Sequence, residues 1–300
     1  MTSNQPRVLI TGVTGLLGNS LAREVRHYGQ VYGLARHIRL GQLPGTMFTT
    51  DLLDPTSLKN IINEISPDLV IHTAALSSVD TCESDPVLAE RANVDATRNL
   101  LKILPKHGCR FVLISTDAVF DGKFGNYAED AVPKPINVYG QTKLRAEQET
   151  LLSRPDSLVI RTAFYGRNLL PKESLSEWIL NRLRSGRRVP GFMDVRFSPL
   201  FTVHLARLIV VAASKTVTGV LHLASSESCS KYQFAQSLAL AAGFDEERVY
   251  PVTLESAGLR APRPRDLSLQ SVYAAKVLGE PLPSVSDGVA AFVHEVVSSH

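Results

Sequence analysis

The sequence predicts an α/β fold, a doubly wound parallel sheet of Rossmann type with a smaller C-terminal substrate-binding lobe. Two observations predict it. Short β-branched runs alternate with stretches of helical period through the first half of the chain, and the first run enters a glycine-rich turn. Strands that are apolar on both faces and separated by helices belong in a sheet covered on both sides.

In order, strands are expected at Val8–Ile10, Val31–Leu34, Met47–Thr50, Leu69–His72, Phe111–Ser115 and Leu158–Arg161. Helices are expected between them at Leu16–Tyr28, Thr56–Ile65, Val87–Lys106 and Val138–Ser153. After Arg161 the rhythm becomes irregular. Helical stretches at Leu175–Ser185, Thr202–Ala213 and Lys231–Ala242 are separated by the Pro/Gly-containing segment Val189–Pro199 and by Val220–Leu223, read as a last strand returning to the sheet. The expected division gives residues 1–165 with 201–223 to the dinucleotide-binding domain. Residues 166–200 with 224–300 form the lobe.

Composition narrows the function classes. The chain has 300 residues and a formal charge of +3 without a basic block, so a nucleic-acid partner is not expected. The cluster Arg182–Arg188 alternates with apolar residues and reads as the solvated end of a helix. Cys82, Cys109 and Cys229 lack any paired spacing, which suits a reduced, cytoplasmic setting. The eight histidines form no ligand-like cluster, so no metal site is proposed. The run Val8–Ile10 is cut short by Thr11-Gly12 and makes no signal-peptide core. No stretch of about 18 apolar residues predicts a membrane span.

The glycine turn points to a dinucleotide. Gly12-Val-Thr14-Gly15-Leu16-Leu17-Gly18 joins the first strand to the first helix. Glycines there permit the tight turn, the approach of backbone amides to a pyrophosphate and the packing of helix on strand. The helix amino end then faces the phosphate charge. After the second strand, where an acidic residue would hold a ribose hydroxyl, the chain has Arg36, His37 and Arg39. A guanidinium can pair with a 2′-phosphate, which favours NADP(H) over NAD(H).

A proton donor follows from a second motif. Tyr139 and Lys143 stand four residues apart early in a helix whose start is marked by Pro135 and Asn137, so they share one face. A free phenol, with a pKa of about 10, is a poor acid–base catalyst at neutral pH, and a neighbouring ammonium is expected to lower it. The fifth strand ends in Ser115-Thr116-Asp117, and hydroxyls at the carboxyl end of a parallel strand face the ligand crevice.

Together these residues resemble an extended short-chain dehydrogenase/reductase, and within that group the dTDP-4-dehydrorhamnose reductase family. The likeness is carried in order by Pro67–Ala75, Val79–Pro86, Asn93 with Thr97–Leu100, Ser115–Gly122, Tyr127–Glu129 and Asn137–Lys143. It is dense up to Arg161 and patchier afterwards. The resemblance implies Thr116 as the catalytic hydroxyl beside Tyr139 and Lys143. It implies cofactor contacts from Asp51, Leu52, Ala74, Ala75, Asn93, Ser115 and Phe164, the last within Phe164-Tyr165-Gly166. For the substrate, a nucleotide-linked 4-keto sugar, Asp117 and Phe120 are the expected contacts; Ala261–Leu267 resembles the family's late Arg-Pro element, and Arg196, Arg263 or Arg265 is expected to bind a diphosphate through bidentate contacts.

The departures concern that substrate. Asp194-Val-Arg-Phe-Ser-Pro-Leu200 replaces the family's aspartate–glutamine pair before Ser-Pro-Thr. The β subunit of methionine adenosyltransferase resembles the same family and acts by binding a partner, so a cofactor-binding regulatory subunit is the alternative. A sugar-nucleotide epimerase is a further one, whereas Asp117 without a following glutamate weighs against dehydration. Val87–Lys106 and Val138–Ser153 are the expected seam of a homodimer.

Overall fold

The computed structural model describes residues 5–38, 43–169 and 172–297, so Arg39 lies outside the described residues. The central sheet is formed by β1 (Arg7–Thr11), β2 (Gln30–Ala35), β3 (Thr46–Thr49), β4 (Leu69–His72), β5 (Arg110–Ile114), β6 (Leu158–Arg161) and β11 (Gly219–His222). All seven strands are parallel, in the order β11-β6-β5-β4-β1-β2-β3. Every residue of β4 and of β6 is buried, as strands covered on both faces require. Along β1, Val8 and Ile10 face one core and Leu9 the other, following the two-residue period of a strand.

One face is covered by α1 (Leu16–Val25) and α8 (Thr202–Ser214). The other is covered by α2 (Pro55–Ile65), α5 (Ala96–Ile103) and α6 (Val138–Ser153). Helix starts follow their local chemistry. Asp54 accepts from the amides of Thr56 and Ser57 with Pro55 at the first position of α2, and Asn137 accepts from Gly140 at 2.8 Å to open α6.

The expected single helix Val87–Lys106 is in fact segmented. The chain forms α3 (Val79–Ser84) and α4 (Pro86–Glu90), then a π turn at Arg91–Asp95, and only then α5. Asp85 caps Leu88 and Pro86 restarts the helix, while the wide turn carries Asn93 inward. A single inserted residue of this kind leaves the apolar period almost intact and is invisible to pattern reading.

The lobe contains α7 (Leu175–Arg184), α9 (Lys231–Ala241) and α11 (Val285–Val297). Three two-stranded sheets brace it: β7 (Ala163–Tyr165) with β10 (Pro199–Phe201), β8 (Val189–Phe192) with β13 (Val249–Val252), and β9 (Arg196–Phe197) with β12 (Cys229–Ser230). Its core is aromatic, with Tyr165, Phe197, Phe201, Phe234 and Phe292 in mutual contact. The lobe is not continuous after residue 224. Ala274 and Leu278 of α10 (Val272–Leu278), with Leu282, return to the sheet core, because α10 packs on α8 and β11.

The three cysteines are free and buried. Among the described residues, no group of three or more His, Cys, Asp or Glu side chains is placed to hold a metal ion. No described helix is long and apolar enough to cross a membrane.

Candidate active site

The strand order reverses at β1, between β4 and β2, and open α/β sheets bind ligands at such a switch point, beyond the strands' carboxyl ends. Gly12 turns the chain there with φ of +70°, and a Cβ on it would come within 2.8 Å of the Ala74 backbone. A Cβ on Gly18 would run into the Gly12 carbonyl, so this glycine allows α1 to pack on the turn. Helices α2, α6, α7 and α9 start with side-chain caps from Asp54, Asn137, Ser174 and Ser230. α1 starts at Gly15 with no side-chain cap, as α8 and α10 also do. Its first-turn amides fit an anion such as a pyrophosphate.

Thr14, Gly15 and Leu16 are part-exposed along this turn, whereas the Leu17 side chain is committed to the core, leaving its backbone to face a ligand. Arg36 and His37 are exposed at the end of β2. Asp51 is exposed and accepts from the Leu53 amide at 2.9 Å, while Leu52 is buried. Ala74 is part-exposed and Ala75 exposed at the end of β4. Phe164, half-buried in β7, packs against the sheet core.

Thr116 lies two residues beyond β5 and caps a short 3-10 turn. Its hydroxyl accepts from the Ala118 amide and donates to Asp117 Oδ1, both at 3.1 Å. Tyr139 and Lys143 project from the first turns of α6. Burial pushes the Tyr139 phenol well up, and the Asp117 carboxyl and Cys82 thiol add to this, with the Thr116 hydroxyl beside it in partial opposition. The expectation of a phenol held down by Lys143 is therefore not met: desolvation dominates. Lys143, 4% exposed, donates from Nζ to the Ile114 carbonyl at 2.8 Å. Burial lowers its pKa to about 8, and the Glu147 carboxylate opposes that fall.

Several expected contacts are spent inside the protein. Ser115 is buried and donates to Glu147 Oε1 at 2.5 Å. Asn93 accepts from the Leu76 amide at 2.7 Å and donates to Leu76 O and to Thr142 Oγ1, which ties the loop after β4 to α6. Phe120 is fully buried, stacked on Tyr127 at 4.1 Å between ring centroids, and lies against Arg161. The chain turns inward there because the aromatic pair closes the seam between sheet and lobe.

A cavity of about 550 Å³ opens in the lobe, its walls including Trp178, Phe192, Val195, Lys231, Arg263 and Leu267. Arg263 also pairs with Asp80 at 2.8 Å. Arg196 is not on this wall, because its guanidinium is drawn to Ser228 Oγ at 2.8 Å and faces Asp266. Arg265 faces Asp194 at 3.6 Å. Lys231, which sequence reasoning missed, connects the cavity to Asp117 beyond the end of β5. Its ammonium lies over the Phe197 ring, and its charge acts on Asp117, whose carboxyl burial pushes up. No motif marks Lys231 in the sequence; only the fold brings it beside Asp117.

A family model described as the RmlD substrate binding domain matches residues 6–298. The chain is 31% identical over 272 residues to a dTDP-4-dehydrorhamnose reductase of Mycobacterium tuberculosis, a match covering 88% of this chain and 84% of that one. It is 30% identical over 272 residues to methionine adenosyltransferase 2 subunit beta of Xenopus laevis, covering 86% and 78% respectively. Among solved structures, a dTDP-4-dehydrorhamnose reductase from Bacillus anthracis in complex with NADP superposes with a TM-score of 0.86 at 27% identity, covering 97% of this chain and 99% of that one.

Proposed function

The chain belongs to the RmlD substrate binding domain family, and from that premise we propose that it is an NADP(H)-dependent reductase of a carbonyl group on a nucleotide-linked sugar. The observation that carries this reading is that the Thr116 hydroxyl stands beside the Tyr139 phenol, with Lys143 one turn along α6, at the carboxyl end of the sheet where the uncapped glycine turn also lies. The NADP complex of the Bacillus anthracis relative supports the choice of cofactor. Backbone amides from Gly12 to Gly18 would hold the pyrophosphate, and Arg36 with His37 the 2′-phosphate. When bound, the reduced nicotinamide supplies the electron pair.

The residues then manage the proton. Tyr139 donates its phenolic proton to the oxygen of the former carbonyl as negative charge develops there. Burial suits it to this direction of reaction: a phenol held up keeps its proton until a stronger base, the nascent alkoxide, appears. Thr116 orients that oxygen beside the phenol. Lys143 brings a fixed positive charge under the site, where low dielectric makes it count for more than in water. The cavity bearing Lys231 and Arg263 takes the rest of the substrate, with apolar walls for a flat ring and cations for its phosphates.

The test is loss of NADPH absorbance against a panel of nucleotide-linked 4-keto sugars. Oxidation of NADPH by at least one member is expected. No oxidation across the panel, together with retention of a methionine adenosyltransferase on the purified chain, would instead favour the regulatory reading that the Xenopus laevis relative supports.

A further inference from the structure

Tyr139, Lys143 and Glu147 follow at intervals of four along α6, which places them on one face of the helix. The third is the deepest, with its side chain only 2% exposed. A carboxylate at that depth requires partners. Arg161 provides two, from Nη2 at 2.8 Å and Nε at 3.1 Å, and Ser115 donates a third bond at 2.5 Å. Arg161 is in turn held against the Phe120 ring, 5.1 Å from its centroid. The ends of β5 and β6 and the middle of α6 thus converge on one carboxylate that cannot turn away.

We propose that Glu147 is a positioning residue of the active site, the fixed counter-charge that keeps Lys143 protonated beneath Tyr139. Lys143 needs one. Its ammonium is buried and its hydrogen bond goes to the neutral carbonyl of Ile114. On its own helix the other titratable neighbour is Tyr139, a neutral phenol. From β4 it faces His72, whose Nδ1 meets Thr11 Oγ1 at 2.6 Å and whose Nε2 meets Thr97 Oγ1 at 3.0 Å. Because Thr97 Oγ1 donates to Asn93 O, it accepts from His72 Nε2–H, and the ring stays neutral. From β6, Arg161 is already bound to Glu147. From the 3-10 turn after β5, Asp117 bears on Tyr139 and on Lys231; Glu147, one turn along the same face of α6, is the carboxylate whose charge acts on Lys143. What the charge on Lys143 accomplishes rests on the reductase reading; that Glu147 holds it there does not.

The experiment follows Lys143 itself. In the full chain labelled with ¹³Cε-lysine, the Lys143 resonance is identified by its loss in Lys143→Arg and titrated in the wild type, in Glu147→Gln, and in Glu147→Gln/Arg161→Gln. The double variant leaves no unpaired guanidinium behind and guards against misfolding of the single one. The Lys143 midpoint is expected to fall by about one pH unit when the carboxylate is lost. The alkaline limb of NADPH turnover should move down with it. In Ser115→Ala, which keeps the charge, the midpoint should hold. An unmoved midpoint in either folded Glu147 variant overturns the proposal, even if turnover falls uniformly, since that pattern marks a purely structural role. A shifted midpoint in a chain that oxidises no NADPH supports the proposal and refutes the reductase reading alone.

Discussion

Lys143 Nζ donates to the main-chain oxygen of Ile114 at 2.8 Å, so the last carbonyl of β5, and not the Tyr139 phenol, fixes where the ammonium sits. Its folded pKa of about 8 lies below the 10.5 of a free lysine, with burial as the main cause. Between those two values the unfolded chain binds the extra proton, so unfolding takes one up. Stability should therefore rise with pH from about 8 to 10.5, by at most about 1.4 kcal/mol per pH unit. Urea midpoints measured across that window should show the slope in the wild type, and Lys143→Met should flatten it. A slope that survives the substitution would place the titration elsewhere.

Tyr139→Phe removes one oxygen and leaves the ring in place. If the phenol is the proton donor, turnover should fall by about 10²- to 10⁴-fold. Affinity for NADPH, read by fluorescence titration, should change little, because the glycine turn and Arg36 lie elsewhere. Turnover within a few-fold of wild type would remove Tyr139 from the mechanism.

The two glycines at 18 and 108 separate steric need from conformational need. A Cβ on Gly18 would strike the Gly12 carbonyl, whereas one on Gly108 would meet open space, although Gly108 has φ of +78°. Gly18→Ala should cost about 1–3 kcal/mol of overpacking and displace the amides that face the pyrophosphate, weakening NADPH binding. Gly108→Ala should cost about 1–2 kcal/mol through its backbone alone and leave NADPH affinity intact. Equal loss of NADPH binding in both variants would mean that the turn geometry is not what the cofactor reads.

The sheet was legible because its signal is local. Residues 69–72 and 158–161 are short apolar runs that can be buried only on both faces, and α6 is bounded by Asn137 as its sequence indicates. The Tyr139 and Lys143 positions were legible for the same reason, since four residues of spacing fix a helix face. What stayed hidden depends on contacts distant in sequence. The π turn at Arg91–Asp95 exists because Asn93 bonds Leu76, 17 positions away. Phe120 turned inward because Tyr127 and Arg161 receive it. Lys231 comes to Asp117 across the seam between sheet and lobe. The direction of the Tyr139 shift was missed because motif spacing carries no information on solvent, and desolvation is the larger effect here.

Cofactor choice is the remaining question that one side chain can decide. Arg36 stands exposed where β2 ends, at the position from which a carboxylate would hold an unmodified ribose. A 2′-phosphate there would receive charge-assisted hydrogen bonds worth about 1.5–3 kcal/mol. Removing them should cost about 10- to 100-fold in affinity for NADPH while NADH, which lacks the phosphate, is bound as before. Arg36→Ala should therefore bring the kcat/KM ratio of NADPH to NADH down by that factor, through KM rather than kcat. His37 is exposed next to it and offers a second donor. An unchanged ratio in Arg36→Ala that drops in His37→Ala would transfer the phosphate to the imidazole.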